Sequence, residues 1–264
     1  MNALRRRYLS AMGIPAWAPR QRAAVSAARA VSVAVPGASV EGGVSAAEAV
    51  ASAVEAGVPV DEAAVSVAEA GVSAAEAIAS AAQRWSVLRT EVMACTQCEL
   101  HRSRTQAVFG VGLQDARLMI IGEAPGGEED RQGEPFVGPA GQLLNAMLRA
   151  IGFPRDQVYI ANVLKCRPPR NRDPRPEEAS ACSGYLDRQI ELVGPRALLA
   201  VGRISAQWLL QTDNPVGRLR GAVHRYGQRA IPLVVTYHPA YLLRTPSAKA
   251  KSWQDLCMLL PLLA

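Results

Sequence analysis

Cys95 and Cys98 enclose two residues in Cys95-Thr96-Gln97-Cys98, and Cys166 and Cys182 are separated by 15 intervening residues. Four thiolates can hold Zn²⁺ or an iron–sulfur cluster, and this spacing alone does not separate the two. A lone C-x2-C is also a redox motif, but the second pair favours a four-ligand site. Cys257, in the apolar helical pattern Trp253–Leu260, reads instead as a core residue. A second constellation carries proton chemistry. Glu123 opens Gly122-Glu123-Ala124-Pro125-Gly126-Gly127-Glu128-Glu129-Asp130, which leads into Phe136 within Gly133–Gly141. Asn162 follows another apolar run, and His238, one of three histidines, opens His238-Pro239-Ala240-Tyr241-Leu242-Leu243-Arg244. A carboxylate, an amide and an imidazole can bind a polar ligand edge and move protons on it. Between Cys166 and Cys182, Arg167, Arg170, Arg172 and Arg175 form a basic loop suited to phosphates.

The elements that must position these groups are legible from apolar runs. Ala116–Gly122, Val158–Leu164, Ala197–Val201 and Ile231–Tyr237 read as buried parallel strands. Helical spacing marks Gly141–Ala150, Glu177–Val193 behind Pro176, a short helix through Leu210, and Lys249–Leu263. Strand and helix alternate, which predicts an α/β fold. The expected form is a three-layer α/β/α sandwich around a central, mainly parallel four-stranded sheet, with a low-complexity N-terminal extension. In such sheets ligands bind beyond the carboxyl ends of the strands, where Glu123, Asn162 and His238 converge.

Charge is unevenly distributed along the 264 residues, whose formal net charge is +6. Residues 1–40 hold six Arg and no acid, whereas residues 41–83 hold seven acids and no Lys or Arg. Only Lys165, Lys249 and Lys251 are lysines among 29 basic residues. The Arg bias permits a phosphate-bearing partner, although a GC-rich genome produces the same bias. Gly43, Gly57 and Gly71 open three similar units at a 14-residue period, close to four helical turns. The Ala- and Val-rich repeats bury little area, so residues 1–83 read as a partly helical tether, or else as a small docking module for a protein partner. Arg5–Arg20 has the look of an amphipathic helix broken at Pro15. Residues 84–264 form the expected globular domain. No run approaches the ~20 apolar residues of a membrane span, and the start lacks a secretory core, although an Arg-rich, acid-free start also fits a transit peptide. The expectation is a soluble, monomeric, cytoplasmic protein in a reducing compartment.

From about Cys95 to the C-terminus the chain resembles the family 4, iron–sulfur-containing uracil-DNA glycosylases. The carriers are C-T-Q-C-E-L-H-R-S-R-T, G-E-A-P-G-G-E-E-D, P-F-V-G-P-A-G, N-V-L-K-C-R-P-P and H-P-A-Y-L-L-R, in that order. The resemblance implies base flipping from single- or double-stranded uracil-containing DNA and hydrolysis of the N-glycosidic bond. It implies that Phe136 stacks on uracil, Asn162 reads its edge, Glu129 excludes the methyl group of thymine, and His238 donates to O2. Glu123 would position water or steady the sugar cation, with Asp130 a second acidic candidate. Better-known branches place an Asp or Asn after this position where Ala124 stands. Either Glu123 substitutes, or the cation needs little help. Leu242 and Leu243 match a wedge segment, with Arg244, Arg167, Arg170 and Arg172 as further DNA contacts. Cys95, Cys98, Cys166 and Cys182 match the ligands of a [4Fe–4S] cluster, expected to be structural. Two other readings compete. One is a protein that captures uracil-DNA without turnover; the other is a zinc-stabilised, non-catalytic DNA-binding module.

Overall fold

The structure is a computed structural model that describes Ser10 and residues 80–264. The expectations for the basic start and the repeats lie outside the described residues. The described chain opens with helix α1 (residues 80–94), which takes in the expected domain boundary at residue 84. There follow β1 (Val111–Gly112), β2 (Leu118–Gly122), α2 (Gly127–Gln132), α3 (Pro139–Ala150) and β3 (Tyr159–Asn162). Next come α4 (Pro176–Val193), β4 (Ala197–Val201), α5 (Arg203–Leu210), α6 (Val216–Leu219) and β5 (Val223–Tyr226). The chain closes with β6 (Ile231–Thr236), α7 (Pro239–Arg244) and α8 (Lys249–Leu263).

The sheet order is β1-β3-β2-β4-β6-β5. The four expected strands, β3, β2, β4 and β6, pair in parallel at its centre. Two antiparallel edges, β1 and β5, enlarge the expected four strands to six. Every residue of β2, β3 and β4 is buried, because helices cover both faces. Successive residues point to opposite layers: Met119 and Ile121 join one core with Leu88, Leu186 and Ile190, while Leu118 and Ile120 join another with Leu144, Met147 and Leu256. Trp85, Leu88 and Val92 of α1 recur at helical spacing on the first layer. The result is a three-layer α/β/α sandwich. Among the described residues no helix is long and apolar enough to cross a membrane.

From β2 the chain crosses to β3 on one side, and from β4 to β6 on the other. The sheet order reverses between β2 and β4, which opens a crevice at their carboxyl ends.

Candidate active site

The crevice holds a cavity of about 760 Å³. Each central strand delivers a polar group to its wall: Glu123 after β2, Asn162 at the end of β3, Arg203 after β4 and His238 after β6. Glu129, Phe136, Arg172, Tyr241 and Arg244 line it as well.

Asn162 and Phe136 meet at the cavity floor. Asn162 is 2% exposed, and its Oδ1 has no hydrogen-bond partner. A buried acceptor left unpaired costs about 1–3 kcal/mol, so this oxygen is primed for a ligand donor. Gly122, its partner across β2 and β3, makes the approach feasible: a Cβ there would lie 2.3 Å from Asn162 Oδ1 and 2.7 Å from the Phe136 ring. Phe136 itself has φ +55°, a left-handed backbone that costs an aromatic residue energy. Arg155 holds it there by donating to the carbonyls of Pro135 (2.6 Å) and Phe136 (3.4 Å) while pairing with Glu134 (2.8 Å). Gly141 completes the support, since a Cβ would lie 1.8 Å from the Phe136 carbonyl oxygen. The Phe136 ring stacks against His238 at 5.7 Å between centroids.

Glu129 lies on α2. Its carboxylate accepts from the backbone N–H groups of Gly126 (3.1 Å), Val137 (3.0 Å) and Gly138 (3.2 Å). It therefore staples the two loops of the cavity wall together and presents a fixed, bulky edge to the interior. Asp130 points elsewhere. Buried at 3% exposure, it accepts from Thr105 N (2.9 Å) and Thr105 Oγ1 (2.8 Å), so it anchors a neighbouring segment and has no place in the cavity.

His238 caps the N-terminus of α7, its Nδ1 accepting from Ala240 N at 3.1 Å. That bond assigns the ring proton to Nε2. Burial above all, and then Arg244, lower its pKa to about 4 against the weaker pull of Glu129. The imidazole is thus a neutral donor near neutral pH. Glu123 shifts the other way, to about 7, because burial disfavours its charge and Asp173 repels it, while Arg203 opposes both. The Arg203–Asp173 ion pair, 2.6 Å long, was not singled out in the sequence. Its signal was a Gly-Arg at a strand's carboxyl end, as at Gly122-Glu123. Arg155, in an unremarkable loop, gave no such signal.

The expected wedge needs correction. Leu242 is fully buried in the second core, because α7 turns it inward, and it cannot enter a base stack. Leu243, at 45% exposure, and Tyr241, at 37%, face outward instead. Arg244 and Arg170 are exposed, and Arg167 donates to Asn171 at 2.7 Å. Arg172 is engaged in a bidentate pair with Glu178 at 2.8 and 2.6 Å, which braces the start of α4.

The four expected cysteine ligands lie apart from the cavity, where the segment after α1 meets the β3–α4 connection and α4 itself. Among the described residues no three His, Cys, Asp or Glu side chains form a group ready to hold a metal ion. The donor set nevertheless fits an all-sulfur centre. Cys166 and Cys182 are buried, and three thiols accept N–H groups: Cys166 from Arg104 (2.9 Å), Cys182 from Lys165 N (3.3 Å) and Cys95 from Gln97 N (3.5 Å). Such bonds stabilise thiolate ligands. Arg104 also donates to the carbonyls of Met93 and Cys95, both at 3.0 Å, tying the two cysteine segments together. Burial raises the Cys166 thiol against the opposing hydrogen bond and charge of Arg104, and the proximity of Cys98 and Cys95 adds to the rise. Cys257, on α8, is half-buried, less enclosed than expected.

Comparison with known proteins points the same way. A family model described as the uracil DNA glycosylase superfamily matches residues 109–257. The type-4 uracil-DNA glycosylase of Archaeoglobus fulgidus is 44% identical over 172 residues, covering 62% of this chain and 86% of that protein. Those of Sulfurisphaera tokodaii and Pyrobaculum aerophilum are each 44% identical, over 169 and 170 residues. They cover 61% and 62% of this chain and 77% and 87% of their own.

Proposed function

The chain belongs to the uracil-DNA glycosylase superfamily, and we infer that it is a monofunctional uracil-DNA glycosylase acting on uracil-containing DNA. It hydrolyses the N-glycosidic bond and leaves an abasic site for repair. The observation that carries the residue-level reading is the buried, unpartnered Oδ1 of Asn162 beside Phe136.

The bond lies inside the duplex, so the nucleotide must rotate out into the cavity. There the uracil ring lies on Phe136. Asn162 accepts from N3–H through Oδ1 and donates through its amide nitrogen to O4. Cytosine offers an acceptor at N3 and a donor at C4, so both contacts would fail, at about 1–3 kcal/mol each. Glu129, held by three backbone N–H groups, occupies the space that a C5 methyl would need.

As C1′–N1 lengthens, positive charge grows on the sugar and negative charge on the base. His238 donates from Nε2 to uracil O2 and stabilises the anion as a neutral group; one such donor contributes about 2.7–4 kcal/mol. Glu123, ionised above about 7, faces the cation and takes a proton from the water that adds its oxygen to C1′. The departing uracil anion then acquires a proton at N1. No lysine lines the cavity, so no Schiff base leads to strand cleavage: the Lys165 ammonium is buried against the Asn162 carbonyl and Gln189.

Cys95, Cys98, Cys166 and Cys182 would hold a [4Fe–4S] cluster. When bound it supplies a covalent tie between the segment after α1 and the arginine loop, not chemistry at the scissile bond. Free thiols and such a centre suit a reducing compartment, and we place the protein in the cytoplasm as a monomer.

A uracil-containing oligonucleotide tests the reading. Alkali-labile abasic sites are the expected product. A stable protein–DNA adduct would instead indicate capture, and an unchanged oligonucleotide would overturn the enzymatic reading. A brown protein with broad visible absorbance is expected on purification, and a colourless, zinc-loaded one removes the cluster.

A further inference from the structure

Lys165 is the largest fully buried side chain of the protein's described residues, at 1% exposure, and nothing in the chemistry above employs it. Its Nζ donates to the backbone carbonyl of Asn162 at 2.8 Å and to Gln189 Oε1 at 2.6 Å. Gln189, wholly buried, passes the connection on, donating to the Phe109 carbonyl at 2.8 Å and to the Tyr159 hydroxyl at 3.2 Å. Both hydrogen-bond acceptors of the Lys165 ammonium are neutral, and only the nearby Cys182 and Cys166 offset the cost of its burial, so an apolar chain of equal length would fill the core better. Its value must lie in direction.

The backbone shows what is directed. On its inner side, the end of β3 is secured to β2: Val163 N donates to the Gly122 carbonyl and Leu164 N to the Glu123 carbonyl, both at 3.0 Å. On its outer side, β1 pairs only with Tyr159 and Ile160 and stops short of Asn162. Lys165 Nζ supplies the donor that a longer edge strand would have given. The amide of Asn162 has no slack, because Gly122 is shaped to it so closely that even a Cβ would intrude. A small rotation of the Asn162 peptide would therefore swing Oδ1 away from the bound base.

We propose that Lys165 is a positioning residue for base recognition, fixing the Asn162 peptide through its carbonyl and rooting it in α4 through Gln189. The same residue joins two sites. Its backbone N–H donates to Cys182, which lies on α4 two turns before Gln189, and its chain neighbour is Cys166. The recognition amide is thus set by the very segment that the cysteines organise. This inference rests on the glycosylase reading.

The test uses the full chain with its metal centre in place and the variant Lys165→Met, equal in length and without the donor. Free uracil as an inhibitor and DNA carrying a reduced abasic site as a ligand separate base recognition from DNA binding. Lys165→Met is expected to weaken inhibition by uracil and to slow single-turnover excision, each by about tenfold, the loss expected from one displaced hydrogen bond. Affinity for abasic DNA and visible absorbance per protein stay as in the parent. Unchanged uracil inhibition overturns the proposal; so does an equal loss of abasic-DNA affinity, which marks a general structural role. If Lys165→Met does not fold, Gln189→Leu removes only the far anchor. It should weaken uracil inhibition about threefold with abasic-DNA affinity unchanged, and no weakening there overturns the proposal. Parent protein that releases no uracil instead overturns the glycosylase reading, and this inference falls with it.

Discussion

Across the cavity, two titratable groups stand in reversed order, a carboxyl with a pKa of about 7 and an imidazole with one of about 4. Burial is the main cause of both shifts, since it disfavours COO⁻ in one and the imidazolium in the other. Between these values His238 is already neutral, whereas Glu123 is still taking up protons as pH falls. Single-turnover excision should therefore rise with pH through about 7 and fall about tenfold per pH unit below it. No second acid limb is expected until about pH 4. Glu123→Gln should lower the rate and flatten the limb. Asp173→Asn, which removes a repelling charge, should move it to lower pH. A limb that survives Glu123→Gln unchanged would assign the titration to another group. His238→Ala should cost about 10²–10³ in rate at every pH between these values, because a neutral donor is lost and not a titrating one.

At the scale of elements, Phe136 shows how a loop is made rigid enough for recognition. Its left-handed backbone persists because Arg155 satisfies two successive carbonyls and Glu134 at once. Arg155→Met should release the ring, raising KM for uracil-DNA and lowering kcat by about tenfold each, while the buried sheet keeps Tm within a few degrees. A variant with parent kinetics would show that the loop holds itself. Helix α7 makes a second test, since its two leucines diverge. Leu242→Ala should cost about 2–5 kcal/mol of stability, read from chemical denaturation, by opening a cavity in the core. Leu243→Ala should leave stability unchanged and slow excision from duplex more than from single strands, because only the duplex needs a filler for the vacated stack. Equal effects on both substrates would deny Leu243 that role. These short elements were also the ones the sequence concealed. The four parallel strands were legible because burial on both faces makes them continuous apolar runs. By contrast, the two residues of β1, the alternating β5 and the six-residue helices α2 and α7 are too short to show a period. The resemblance alone placed Leu242 at the DNA, and it carried no sign of which way the short helix α7 turns that side chain. The residue types of the site were legible at strand ends. Arg155 was not, because long-range pairing leaves no local mark, and Arg203 left only the Gly-Arg at the end of β4, with nothing to name Asp173 as its partner.

For the whole molecule, the sum of charges says little about DNA, and the distribution of pairing says more. Several of the basic residues close to the cavity are internally committed: Arg172 to Glu178, Arg203 to Asp173 and Arg155 to Glu134. An arginine that keeps its carboxylate partner on binding releases no DNA counterion, whereas one that exchanges solvent for phosphate does. Arg170 is exposed in the loop beside the cysteines, and Arg244 is exposed at the cavity rim. Measured as affinity against salt concentration, Arg170→Ala and Arg244→Ala should each reduce the logarithmic slope by about 0.9 on duplex DNA. Arg172→Ala should leave the slope alone and instead lower Tm, because Glu178, 4% exposed, loses its partner at the start of α4. A slope change for Arg172→Ala, matching that of Arg170→Ala, would mean that the loop rearranges on DNA and gives up its ion pair. The comparison thus measures whether the arginine loop meets the backbone as a rigid surface braced by α4 or as a segment that reorders on contact.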